Sequence, residues 1–258
     1  MSEVRNVQFP TTHWSLLSRL RSENADVSRR ALEDLLSQYR YPLYAYIRRR
    51  GVSHHDAEDA LHDFLMRLLE AQSLEDADAQ RGRLRGFLCT ALGRFMANWH
   101  RDEARRERFA QELPGARESS EEERYAKEEF SDADTPQQVF ERKWGHALLE
   151  RVMEQLKTQC EMQGKGALFT ELQPVLIGGG SLRGNDGAGI AARLRMTEGA
   201  LRVALNRHLR DYRKILEAEV EQTVENPDEV GEEIAYLMAV FSPARGNPGA
   251  PRGGALCG

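Results

Sequence analysis

Apolar residues along this chain recur every three or four positions, the period of a helix and not the alternation of a strand. Ala31, Leu32, Leu35, Leu36 and Tyr39 form one stripe, and Leu43, Tyr44 and Ile47 extend it past Pro42, where an internal proline predicts a kink. Gly51 closes that helix behind Arg48, Arg49 and Arg50, cations that suit the negative end of the helix dipole. Ser53 reads as the N-cap of the next helix, with Asp56 at its third position, and Ala57, Ala60, Leu61, Phe64, Leu65, Leu68 and Leu69 make its buried stripe. A third helix runs from about Leu84 to Trp99 on Phe87, Leu88, Ala91, Leu92, Phe95 and Met96. Further on, residues 188–194, 195–197 and 198–212 read as helix, tight turn and helix, with Thr197 capping the second helix. Ile190, Ala191 and Leu194 face Leu201, Ala204, Leu205, His208 and Leu209, which makes His208 a core histidine. Asn226-Pro227-Asp228-Glu229 reads as a last helix start, leading into Val230, Ile234, Leu237, Met238 and Phe241 on one face. No β-branched run alternates for long, so the expected fold class is all-α.

Charge divides this helical chain. The net charge of −5 hides two basic blocks: 81–108 holds eight arginines against three acids, and 183–214 holds seven arginines and a lysine against three acids. Between them, 112–134 carries nine acids against three bases with little apolar content, which predicts an unfolded acidic linker. From Glu217 to Glu233 there are eight carboxylates and no Lys or Arg, and the Pro- and Gly-rich tail 242–258 reads as disordered. Two basic modules joined by an acidic tether suit a protein that holds one polyanion at two places.

Composition narrows the class. No stretch approaches the roughly 18 apolar residues of a membrane span, and Met1 to Pro10 lacks the basic start and apolar run of a secretory signal, so the expected location is the cytoplasm without membrane insertion. Cys89, Cys160 and Cys257 are far apart and in no C-x-x-C spacing, which predicts reduced thiols and neither a disulfide framework nor a cysteine zinc site. The loop 178–189 is rich in glycine but matches no phosphate-binding fingerprint. No cofactor and no metal is expected.

Three surfaces carry the candidate chemistry. On the second helix Asp56, Glu58, Asp59, Asp63 and Glu70 lie with His62 and Arg67 beside the apolar seam, a face suited to a protein partner. His55, Asp59 and His62 share the helical spacing a metal site would use, but no second ligand cluster is in view, so a metal site is not expected there. At the end of the third helix Arg94, Asn98, Trp99, His100 and Arg101 combine phosphate-binding charge with a ring able to stack on an unpaired base. On the helix that begins at Glu198 the exposed side is Arg202, Val203, Asn206, Arg207 and Arg210, residue types that read guanine and adenine in a major groove.

The order of these elements resembles the extracytoplasmic-function (ECF) type of bacterial RNA polymerase sigma factor. Residues 41–51 and 56–69 look like the family's second region, 87–106 like its minus 10 reader and strand-opening helix, and 191–210 like its fourth region. The run 196–204 resembles a planctomycete-like subgroup. The resemblance implies a core-polymerase-binding set of Asp56, Glu58, Asp59, His62, Asp63, Phe64 and Arg67. It implies a minus 10 set of Arg94, Asn98, Trp99, Arg101 and Arg105, and a minus 35 set of Thr197, Arg202, Val203, Asn206, Arg207 and Arg210. Core RNA polymerase and promoter DNA are the implied partners, with an anti-sigma factor or other regulator as a further class, and no catalytic residue is implied. The expected organisation is an N-terminal segment (1–27), a region 2-like domain (28–108), an acidic linker (109–135), a region 4-like helix-turn-helix domain (136–224) and a C-terminal helix and tail (225–258).

Two features depart from the family pattern. Arg195 stands in the turn of the helix-turn-helix where a left-handed residue, usually Gly, is wanted, a strain of roughly 1 kcal/mol. Residues 162–184 are longer and more Gly-rich than a short sigma factor needs. The alternatives are a helix-turn-helix regulator that never binds polymerase, and an enzyme built on Asp59, His62 and Asp63.

Overall fold

The computed structural model describes residues 19–20, 22–70, 83–106, 120–128, 130–131, 133–183, 186–224 and 226–241. These form nine α-helices and one 3-10 turn, with no strand among the described residues. They are α1 (Ala25–Arg49), α2 (His54–Glu70), α3 (Leu84–Arg106), α4 (Ser120–Ala126), α5 (Pro136–Met162), α6 (Gly166–Ile177), α7 (Gly187–Arg193), α8 (Glu198–Glu221), the turn Pro227–Glu229, and α9 (Val230–Phe241).

Local sequence explains where these helices start. Asn24 caps α1 by accepting from the Asp26 and Val27 amides, and Ser53 accepts from the Asp56 amide at 3.2 Å at the head of α2. Thr135 and Gln138 form a full capping box ahead of Pro136 in α5. Asp186 accepts from the Gly189 amide at 2.9 Å to start α7. A Cβ on Gly189 would lie 1.8 Å from an Asp186 carboxylate oxygen, so only glycine fits beneath that cap. α1 runs through Pro42 as one helix and ends before Gly51, which takes a φ of +85°.

The apolar stripes of α1, α2 and α3 meet in the largest core cluster. Its members include residues from far along the chain: Phe140, Trp144 and Leu148 of α5, Val220 of α8 and Leu237 of α9. The other half of α5 belongs to a different cluster, where Val152, Leu156 and Cys160 pack with Phe169 and Ile215. At 27 residues α5 is about 40 Å long. One long element thus packs against α6 and α8 at one end and completes the first module at the other. A small third cluster of Leu172, Val175, Ile190, Ala191, Leu201 and Leu205 closes the helix-turn-helix itself.

The structure corrects two expectations about the acidic segments. Residues 112–134 do not read as one unfolded linker, because 120–126 are helical as α4 and dock on the first module. The segment lacks an apolar core of its own, but its acids find arginines: Glu121 pairs with Arg40 at 2.6 Å and Glu122 with Arg48 at 3.0 Å. Tyr44 also donates to Glu122 at 2.6 Å, and the guanidinium of Arg48 lies 5.1 Å from the Tyr125 ring centre. The second correction concerns α9. Asn226 and Pro227 start it as expected, but Met238 is 66% exposed, and the buried face is centred on Leu237 and the charged Glu233. The expected disordered tail, the segment 1–18 and all of 107–119 lie outside the described residues.

Candidate nucleic-acid interface

α2 presents its candidate face as the spacing requires. Asp59, His62, Met66 and Arg67 are exposed, while Asp56, Glu58 and Asp63 are half-buried. Glu58 reaches Arg40 of α1 at 3.4 Å, and Arg67 lies over the Phe95 ring at 5.1 Å. Phe64 departs from the expected surface set. It is 3% exposed and packs on Phe95 with ring centres 5.6 Å apart, because it shares the stripe of Ala57, Ala60, Leu61 and Leu68. In the free chain it supports the face from beneath.

α3 divides in the same way. Arg94 and Asn98 are exposed, and Arg101 and Arg105 continue their stripe at helical spacing along the same helix, although their side chains lie outside the described residues. Trp99 corrects the stacking expectation: it is 5% exposed, one more rung of the ladder made by Leu88, Leu92 and Met96. No ring of that residue is offered to an unpaired base in this arrangement.

The helix-turn-helix is the most open of the three surfaces. Thr197 caps α8 by accepting from the Ala200 amide at 3.2 Å. Arg202, Val203, Asn206, Arg207 and Arg210 are all exposed on one side of α8, with Val203 60% exposed. Leu201, Leu205 and His208 are buried on the other side. His208 lies 2.9 Å through Nδ1 from the Ala204 carbonyl, which can only accept, so Nδ1 carries the proton and Nε2 accepts from the Cys160 thiol at 3.3 Å. His208 is therefore a satisfied core histidine. Arg195 takes a φ of 53°, the left-handed turn residue that the sequence demanded, with its side chain exposed. Gly180, at φ +72°, lies so close to Leu209 that a Cβ would come within 2.7 Å of it, which fixes the Gly-rich loop beside α8. Between that loop and α8 is a cleft of about 620 Å³ that Arg183, Arg202 and Asn206 help to line.

Sequence reasoning missed the contacts that join distant segments. Arg85 at the start of α3 is 5% exposed and hydrogen-bonds Glu233 of α9, which is wholly buried. Arg83 reaches the other Glu233 oxygen at 2.8 Å. The Arg85 guanidinium also lies over the rings of Trp144 at 4.7 Å and Tyr236 at 5.1 Å. Burial, with the charge of Arg83 beside it, pulls the Arg85 pKa below the ordinary arginine value. The only sequence signal for these pairs is complementary charge between blocks, which does not say which acid meets which base.

The remaining chemistry is sparse. Among the described residues no group of three or more His, Cys, Asp and Glu could hold a metal ion, and His55 and Asp59 stand 4.0 Å apart without a third ligand. Cys89 and Cys160 are free and buried, and burial, with the Glu141 charge adding, pushes the Cys89 thiol up to about 11. Among the described residues no helix is long and apolar enough to cross a membrane.

No curated protein and no solved structure matches the chain. Residues 35–106, spanning most of α1, all of α2 and all of α3, match the family model for sigma-70 region 2.

Proposed function

We propose that the chain is an ECF-type sigma factor, of the planctomycete-like subgroup, that binds core RNA polymerase and directs it to promoters with minus 10 and minus 35 elements. The observation that carries this reading is the pairing of a sigma-70 region 2 match over α1–α3 with a helix-turn-helix whose reading side is bare and basic. Neither half alone requires a promoter subunit. Together they support a reading in which one chain carries a polymerase-binding module and a duplex-reading module.

In this reading the exposed Asp59 and the half-buried Asp63, with His62 and Arg67, meet core polymerase, while Asp56 and Glu58 spend part of their charge on the cap and on Arg40. The stripe Arg94, Asn98, Arg101 and Arg105 tracks the minus 10 region, where arginine supplies phosphate contacts. Thr197, Arg202, Val203, Asn206, Arg207 and Arg210 face the minus 35 major groove, with Arg202, Asn206 and Arg207 placed to meet base edges. Sigma-70 proteins are not an enzyme family, and the reading gives this chain no catalytic group.

The test is association with core enzyme. Asp59→Lys with Asp63→Lys reverses two surface charges and leaves the buried stripe of α2 untouched. The double variant should keep wild-type helicity and lose co-purification with core polymerase; undiminished co-purification would sink the assignment.

A further inference from the structure

Arg183 stands outside the helix-turn-helix, in the Gly-rich loop between α6 and α7, and the loop is built to hold it. α6 ends in a double reversal: the Gly180 amide donates to the Val175 carbonyl at 2.8 Å and the Gly179 amide to the Leu176 carbonyl at 3.3 Å. Gly179 and Gly180 take φ of +96° and +72°, the left-handed conformation this ending requires. From there the chain is pinned on both sides of Arg183. Gly180 abuts the Leu209 side chain of α8, Leu182 packs on the small core cluster of the helix-turn-helix, and Asp186 caps α7. The Ser181 hydroxyl accepts from the Arg183 amide at 3.1 Å. The Arg183 side chain is left exposed beside the N-terminal half of α8.

Its charge is also uncommitted. Arg193 and Arg213 of the same basic block spend theirs inside the chain, on Glu171 and Glu217, each at 2.8 Å. Among the described residues Arg183 and Arg202 have no such carboxylate partner. They stand on opposite walls of the cleft between loop and helix, where Asn206 lies one turn beyond Arg202. Two acids line the same cleft, but both are occupied. Asp186 holds the α7 cap and lies 3.9 Å from Arg193, and Glu198 sits in the first turn of α8, where the helix dipole favours a negative charge.

An α-helix with its side chains is about 10–12 Å across, and the major groove of B-DNA is about 12 Å wide. A helix lying in the groove therefore fills it from rim to rim. A side chain carried beside that helix on another element meets the rim, which is made of phosphates, and not a base edge. With Arg202 and Asn206 turned into the groove, one strand's backbone runs along the cleft and Arg183 lies on its outer side.

We infer that Arg183 is a phosphate clamp for the duplex that α8 reads: it fixes one backbone phosphodiester at the loop-side rim of the groove and carries no sequence preference of its own. The clamp rests on the reading of α8 as a major-groove helix, and does not require the chain to bind polymerase. Arginine suits the role, because its planar fork donates two parallel bonds to phosphate oxygens.

The full chain, alone and with core polymerase, tests the clamp on a duplex selected by it from a random-sequence pool. Arg183→Ala should bind at least about threefold more weakly at about 50 mM salt, with the slope of log affinity against log salt shallower by about 0.9. Relative affinities for single-base variants of the duplex should stay as in the parent. Arg183→Lys keeps the charge and should recover most of the slope. Ethylation of single phosphates should interfere with the parent at one position that no longer matters to Arg183→Ala, and that phosphate should border the groove that holds α8. Thermal unfolding should be unchanged, since the side chain is exposed. Unchanged affinity, slope and interference would overturn the clamp, and so would preference relaxed at a single base pair, which would make Arg183 a base reader. If the chain shows these effects on DNA but fails to co-purify with core polymerase, the clamp stands and the promoter reading falls. A parent chain that selects no duplex in either form would overturn both.

Discussion

The two ends of α5 sit in opposite kinds of packing. Its first half completes a core of large rings and aliphatics gathered from α1 to α9, with Phe140, Trp144 and Leu148 all essentially without exposure. Beyond its second half the helix-turn-helix closes on six buried residues that lie between Leu172 and Leu205. The first module therefore draws its cohesion from chain far away, while the second is built locally and leaves the Arg202, Asn206 and Arg210 side of α8 bare. Distant packing makes the first module sensitive to changes outside it, and local packing lets the reading face vary without loss of fold.

Trp144→Ala tests the first half of that contrast and should have the largest effect. It removes a buried ring from the core and the surface over which Arg85 lies, so a loss of about 3–5 kcal/mol is expected in chemical unfolding. The loss should appear in probes of α1–α3 although the substitution lies in α5. An unfolding transition of α1–α3 unaffected by Trp144→Ala would show that the module does not depend on α5.

Substitutions on the reading face should leave the fold alone and change binding. Arg202→Ala, Asn206→Ala or Arg207→Ala should each cost about 1–3 kcal/mol of DNA affinity if the side chain meets a base edge, with preference relaxed at one minus 35 position. Uniform weakening across all sequences would assign that residue to phosphate contact instead. Thermal stability should stay within about 0.5 kcal/mol of the parent, since these side chains are exposed.

A smaller effect of opposite sign is expected at the turn. Arg195 holds a φ of 53° with an exposed side chain, so Arg195→Gly should relieve left-handed strain and stabilise the helix-turn-helix by up to about 1 kcal/mol. Lower stability of the glycine variant would show that the Arg195 side chain contributes more than its backbone costs.

The smallest predicted change is a pH response near α9. Burial, with Lys143 beside it, lowers the pKa of His146 from 6.5, and its ring meets Phe241 edge-on at 4.8 Å. A lowered histidine binds more protons when unfolded, so its contribution is full above pH 6.5 and is lost as the pH falls through the folded value. His146→Phe should flatten stability against pH in that window, and an unchanged slope would assign the response to other groups.

Much of this architecture was legible in the sequence because it is local. Caps at Ser53, Thr197 and Asn226, the strained turn at Arg195 and the inward His208 follow from spacing and residue type within one or two turns. Phe64 and Trp99 were misplaced by the surface reading, although both fall on the apolar stripes that the same sequence displays. For those two residues, the pattern was a better guide than the appeal of an aromatic near a charged face. The docking of α4 through Glu121 and Glu122, and of α9 through Glu233, could not be read. Periodicity tells which face of a helix is buried but not what covers it, and an acid that pairs with an arginine 74 or 148 positions away leaves no local mark.

Run-off transcription tests the central claim most directly. Core RNA polymerase supplied with this chain and a template carrying the promoter region of the chain's own gene should give a discrete transcript that core enzyme alone does not make. Adding Asp59→Lys with Asp63→Lys should abolish that transcript. Template-specific binding of the chain to DNA, with no transcript and no association with core polymerase, would contradict the account and make the protein a helix-turn-helix regulator instead.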